Sequence, residues 1–135
     1  MKKEFTMMAQ NELLGELLED LEEQMTAFGW PMGQVVNVGI CTEEIYVNIA
    51  NYGYPDKIGP VTITEEVDEN RVALTFVDEG IEYNPLAKPD PDITLSLEER
   101  PVGGLGIYMV KNMMTVVDYK YENGKNQFFM ALDRE

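Results

Sequence analysis

The chain has no histidine among its 135 residues and a single cysteine, Cys41. The first absence removes Ser-His-Asp and Cys-His catalysis and any histidine-based zinc site, which leaves proton transfer to a carboxylate, a lysine or a tyrosine. The second rules out an intrachain disulfide and predicts a reducing, cytoplasmic setting. Positive charge is also scarce: 10 Lys and Arg stand against 25 Asp and Glu, a formal net charge of −15. Such a chain repels a phosphate backbone, and with no basic patch in the sequence direct nucleic-acid binding is not expected. No apolar run approaches the roughly 20 residues of a membrane span, and the start, MKKEFTMMAQNELL, lacks the long apolar stretch of a signal peptide. Neither a membrane segment nor a targeting segment is expected.

What is present suits one domain, residues 1–135, with a hydrophobic core that needs no disulfide staples. KEFTMMA, residues 3–9, reads as a first strand. Asn11 is a candidate N-cap for a helix in which Leu14, Leu17, Leu18, Leu21, Met25 and Phe28 recur at helical spacing. Gly29 to Gly33, with Pro31 between, ends that helix. A second helix is predicted from about Met32 to Tyr52, stopped by Gly53 and Pro55. VTITEEV and RVALTFVD, separated by Asp68-Glu69-Asn70, read as an antiparallel hairpin. Residues 79–103 lack periodicity and contain Pro85, Pro89, Pro91 and Pro101, the mark of a functional or disordered loop. GLGIYMVKNMM is then helical, and VVDYKYENGKNQFFMALD is a second hairpin turning at Asn123-Gly124. Helices early and strands late predict an α+β fold, a two-layer sandwich with helices on one face of a mixed, largely antiparallel sheet.

Three clusters carry chemistry. In CTEEIYVNIANYGYP, residues 41–55, a helical projection at roughly 100° per residue puts Asn37, Glu44, Asn48 and Asn51 on one narrow stripe. Glu43 points elsewhere. Glu44 and Asn48, one turn apart, can converge on one ligand, the first as a general base and the second as a hard oxygen donor for Mg²⁺. The same stripe also fits a solvated helix face. In VDEGIEYNP, residues 77–85, a strand ends in Asp78, a carboxylate able to accept from an exocyclic amine, and Gly80 lets a flat ring approach the backbone. An acidic turn explains it equally. In RPVGGLGIYMVK, residues 100–111, glycines precede a helix whose first N–H groups form an anion site; a flexible turn is the alternative. Neither the Rossmann nor the Walker A pattern is met, and eukaryotic-type kinase signatures are absent.

The order of the three is more specific than any one of them, and it resembles the GHKL (histidine kinase-like) ATPase superfamily, most closely the bacterial anti-sigma factor serine kinases. EEIYVNIANYGYP is similar to their N box, VDEGIEYNP to their first glycine box and GGLGIYMVKNMM to their second. The resemblance implies that Asn48 holds Mg²⁺ on the phosphates of ATP, that Glu44 deprotonates an acceptor serine, and that Asp78 reads the adenine amino group beside Gly80. Gly104, Leu105 and Gly106 would present amides to the phosphates, with Glu82 to Val102 as an ATP lid. Asn51 either faces the nucleotide or caps the helix end, and Arg100 and Lys111 stand near without a fixed role. The implied partners are an anti-anti-sigma domain bearing the serine and a sigma factor. Homodimerisation is compatible with the apolar stripe of the first helix, which core packing explains as well.

Two residues depart from the family pattern. Thr115 stands where relatives often have an acid, and Phe129 stands near a position where many place a small or hydroxyl-bearing residue that touches phosphate. Both bear on the efficiency of transfer. A serine-protein kinase that sequesters a regulator is therefore weighed against a nucleotide-gated binding switch with little or no kinase activity. A third reading is an α+β interaction domain that binds no nucleotide.

Overall fold

The computed structural model describes residues 2–10, 13–87 and 105–135. In chain order the main elements are β1 (Lys2–Met8), α1 (Leu14–Ala27), α2 (Met32–Asn48), β2 (Pro60–Val67), β3 (Arg71–Asp78), α3 (Leu105–Met113), β4 (Val116–Glu122) and β5 (Lys125–Asp133). The five strands form one sheet in the order β1-β2-β3-β5-β4, and every pairing is antiparallel. The three helices cover one face of it, which is the α+β sandwich expected.

Strand alternation decides what faces the helices. Phe5, Ile63, Phe76, Phe128 and Tyr119 stand in register across all five strands and point into the core. The opposite face carries Thr62, Thr64, Thr75 and Gln127, all only partly buried. Leu14, Leu17, Leu21 and Met25 of α1 and Val35, Val38, Cys41 and Ile45 of α2 are buried against the inner face, each large side chain contributing about 1.5–3 kcal/mol on removal from water. Tyr46 is fully buried as well, and its hydroxyl donates to the Gln10 carbonyl at 2.7 Å, which fixes α2 to the end of β1.

Helix α1 ends at Gly29, which has φ +77°, and Trp30 N–H returns to the Met25 carbonyl at 3.1 Å, the backbone pattern that closes a helix on a left-handed residue. Asn11, the candidate cap at the other end, lies outside the described residues. The hairpin of β4 and β5 turns as expected at Asn123-Gly124, both with positive φ, the two-residue turn whose twist matches the strands. Helix α2 differs from the sequence expectation at its end. The α-helix stops at Asn48 and the chain continues as a π turn over Ile49–Gly53, with Tyr54 N–H bonded to the Ile49 carbonyl five residues back at 3.2 Å. The wider turn breaks the 100° projection, so positions beyond Asn48 leave the stripe.

Candidate functional site

On the same face, two residues nearer the strand ends than the aromatic row, Met7, Val61, Asp78, Asn126 and Tyr121 are in register. Here the core turns polar. Asp78 is the last residue of β3 and follows Val72, Leu74 and Phe76 on the inner face, so a carboxylate occupies a core position, 4% exposed. Burial pushes its pKa up, while hydrogen bonds from Asn126 and from the Gly80 N–H pull it back. Both bonds, each 2.9 Å long, land on Oδ1. No described residue donates to Oδ2.

Asn126 ties the carboxylate to the chain that follows it. Its amide nitrogen also donates to the Ile81 carbonyl at 2.9 Å, and its oxygen accepts from Tyr83 N–H at 3.1 Å and from the Tyr119 hydroxyl. Gly80 lies against the π turn: Ile81 N–H bonds the Gly53 carbonyl at 2.9 Å, and a β-carbon at position 80 would collide with that same carbonyl. The Tyr54 hydroxyl braces the turn from behind, donating to the Pro60 carbonyl at 2.6 Å and accepting from Glu79 N–H at 2.8 Å. These contacts border a cavity whose lining is apolar at Ile45, Ile49 and Phe128 and polar at Asp78 and Asn48, with Tyr83 and Pro85 completing it. Its free volume of about 20 Å³ holds one water and no aromatic ring. Tyr83 stacks on Tyr52 with centroids 5.3 Å apart, so the segment that carries it is held by ring contact as well as by Asn126.

Asn48 links this cavity to a second group. It lines the cavity and donates through Nδ2 to Glu44 Oε1 at 3.2 Å, one helical turn back. The start of α3 closes on the same place: a β-carbon on Gly106 would overlap the Glu44 carboxylate. Glycine lets the helix start come this near with the Glu44 carboxylate left in place. Glu43, expected to point away from the stripe, is exposed.

A family model described as the histidine kinase-like ATPase domain matches residues 7–132. The chain belongs to that family. It is 26% identical over 100 residues to the serine-protein kinase RsbW of Bacillus cereus and to that of Bacillus anthracis, alignments that cover 71% of this chain and 62% of theirs. The chain thus spans under two thirds of the length of those relatives. A solved structure of the RsbU and RsbW domains of a Mycobacterium tuberculosis protein superposes with a TM-score of 0.69 over 99% of this chain and 32% of the other, at 12% identity, a likeness of fold.

Within this histidine kinase-like ATPase fold, Glu44, Asn48, Asp78, Gly80 and Gly106, all singled out from the sequence, lie around one region. Leu105 is the first residue of α3, whereas Gly104, Arg100 and the greater part of the lid lie outside the described residues. Asn51 is exposed on the π turn and is not among the residues lining the cavity. Phe129 pairs with Thr75 and Asp118 on the outer face of the sheet, away from the cavity; it is Phe128 that faces in. Thr115 is used structurally, its hydroxyl accepting from Asp133 N–H at 2.9 Å. Sequence reasoning missed Asn126 and Gly53. The signal for Asn126 was available: it has the parity of Phe128, Met130 and Leu132 on β5, so an amide stood in a core row.

Proposed function

We propose that this chain binds Mg-ATP between the cavity at Asp78 and the start of α3 and transfers the γ-phosphoryl group to a serine of an anti-anti-sigma partner domain, sequestering a sigma factor when that partner is absent. The observation that carries the reading is Asn48, which joins a buried carboxylate beside closely packed glycines to a second carboxylate at a helix N-terminus. The residues fit the nucleotide. No described residue donates to Asp78 Oδ2, which suits an exocyclic amine, and the contact of Gly80 on Gly53 leaves backbone, with no side chain, beside it. Asn48 turns its nitrogen to Glu44, which leaves its oxygen, a hard donor, for a cation. Magnesium, when bound, neutralises phosphate charge that a chain of net −15 would otherwise repel.

In this reading the amides of Gly104, Leu105 and Gly106 and the dipole of α3 hold the phosphates. Glu44, oriented by Asn48, takes the proton of the acceptor serine hydroxyl. Phosphoryl transfer asks for little more than positioning and charge stabilisation. Partners of this kind put the protein in the cytoplasm; no helix among the described residues is long and apolar enough to cross a membrane. A second reading, a nucleotide-gated switch with little or no kinase activity, is favoured by the narrowness of the cavity: about 20 Å³ admits no ring, so lining residues such as Tyr83 and Pro85 must move for one to enter, and occupancy is coupled to the segment that carries them.

Labelled ATP, Mg²⁺ and candidate partner domains separate the readings. Glu44→Ala is expected to keep Mg-ATP affinity within about threefold by calorimetry and to lower transfer by about 10²–10⁴-fold. Asp78→Asn is expected to lose binding. Transfer undiminished in Glu44→Ala overturns the assignment of the base, and wild-type binding with no acceptor phosphorylated favours the switch.

A further inference from the structure

The outer seam of α1 and α2 forms a groove of about 260 Å³, floored by Leu18, Leu21 and Val35, on the side of the helices turned away from the cavity residues. Along its α2 wall Met32, Val36 and Ile40 follow one another at intervals of four residues and are 57%, 50% and 39% exposed. They form a contiguous apolar stripe with i, i+4, i+8 spacing, not scattered surface hydrophobes. Gly39 also lines the groove, and a β-carbon there would meet nothing within 4 Å, so the absent side chain adds depth. The rim is acidic and one-signed. Glu22 and Glu43, both exposed, line it, and α1 and α2 contain no lysine or arginine against Glu16, Glu19, Asp20, Glu22, Glu23, Glu43 and Glu44.

We infer that this groove docks a cationic amphipathic helix of a protein partner. The apolar floor calls for an i, i+3, i+4, i+7 stripe of aliphatic side chains, the general mode by which a helix lies in a groove. Lysine or arginine flanking that stripe would face the glutamates. The charge selects this occupant over the alternatives: a second copy would bring an identical acidic rim against the first, and an anionic lipid surface would be repelled. The site is independent of nucleotide binding, and its test needs no nucleotide.

The probe is an 18-residue Leu/Lys peptide with leucines at i, i+3, i+4 and i+7, titrated into the ¹⁵N-labelled full chain beside a permuted peptide of identical composition without an apolar face. The amphipathic peptide is expected to bind at least tenfold more tightly than the permuted one, with amide shifts concentrated at Leu18, Glu22, Val36 and Ile40. Val36→Lys combined with Ile40→Lys is expected to weaken it at least tenfold, whereas Glu66→Lys, on the opposite sheet face, leaves it within twofold. Gly39→Gln gives a second check, since it fills the groove in a helix that gains propensity and stays folded; it too is expected to weaken binding at least tenfold. Equal binding of the two peptides, or shifts spread over the sheet, overturns the inference in favour of general attraction to an acidic chain. A concentration-dependent dimer in sedimentation, with the same amides shifted in the absence of peptide, overturns it in favour of a second copy.

Discussion

Asp78 and Glu65 are both carboxylates at core positions of the sheet, and the chain treats them differently. Asp78 is given two donors on one oxygen and left a second oxygen at the cavity. Asn126→Ala removes one donor and frees the segment at Ile81 and Tyr83; the loss of a buried bonded amide predicts a stability decrease of about 1–3 kcal/mol, checked by urea unfolding, together with weaker Mg-ATP binding by calorimetry. Glu65 is 1% exposed, and among the described residues neither of its oxygens, nor Asp20 Oδ2, has a hydrogen-bond donor. Facing it are Lys3 across the strand pair and Asp20 on α1, and Lys3 is committed to Asp20 Oδ1 at 2.8 Å. Two acceptor-only carboxylates at one buried spot need a proton between them, and burial first, Asp20 second, push Glu65 up to about 8.

The sign of that shift makes a prediction. Below about pH 4.5 Glu65 is protonated folded or unfolded; as pH rises towards about 8 only the unfolded chain gives up the proton, so stability from this group falls across that window. Glu65→Gln keeps a donor for Asp20 and cannot ionise. The variant is expected to gain about 1–3 kcal/mol over the wild type at pH 8 and much less near pH 5, read from denaturation midpoints across pH. An equal difference at the two pH values would contradict the shared proton.

At the scale of elements, close approach of backbones does the positioning, and two glycines show two kinds of it. At Gly80 the obstacle to a β-carbon is the Gly53 backbone, which cannot yield without moving the π turn. Gly80→Ala is therefore expected to cost about 1–3 kcal/mol in thermal or chemical unfolding. At Gly106 the obstacle is the end of the Glu44 side chain, which can rotate away. Gly106→Ala should leave stability nearly unchanged while displacing Glu44, so phosphoryl transfer falls and the unfolding midpoint does not. The elements themselves were legible: the two hairpins, the break at Gly29 and the helix start at Met32 follow from alternation, left-handed turn residues and proline. The π turn was not legible, because Ile49-Ala50-Asn51 continues an acceptable α-helical pattern, whereas the wider turn is accompanied by long-range packing of Gly53 against Gly80. That is why Asn51, on the stripe in projection, is exposed in space.

For the whole molecule the dominant fact is charge. A formal −15 crowds like charges on a small surface and opposes compaction. Raising NaCl from about 20 mM to about 0.5 M shortens the screening length several-fold and is expected to raise the melting temperature by a few degrees; a fall or no change would show that local ion pairs outweigh self-repulsion. The described ion pairs Lys2–Glu66, Arg71–Asp133 and Lys120–Glu122 are exposed and worth little individually.

The sequence by itself determined the fold class and the two hairpins, through local periodicity and turn chemistry, and the order of three short motifs pointed to the family and singled out Glu44, Asn48, Asp78, Gly80 and Gly106 as candidates. Tertiary structure alone decided that Asn126, from a strand 48 residues downstream, orients Asp78, and that Tyr83 and Pro85 help line a cavity with room for one water. It also decided that Asp20 and Glu65 share a buried spot. These are long-range contacts set by strand order and register, and no local pattern carries the distance between two residues that meet only when the sheet has formed.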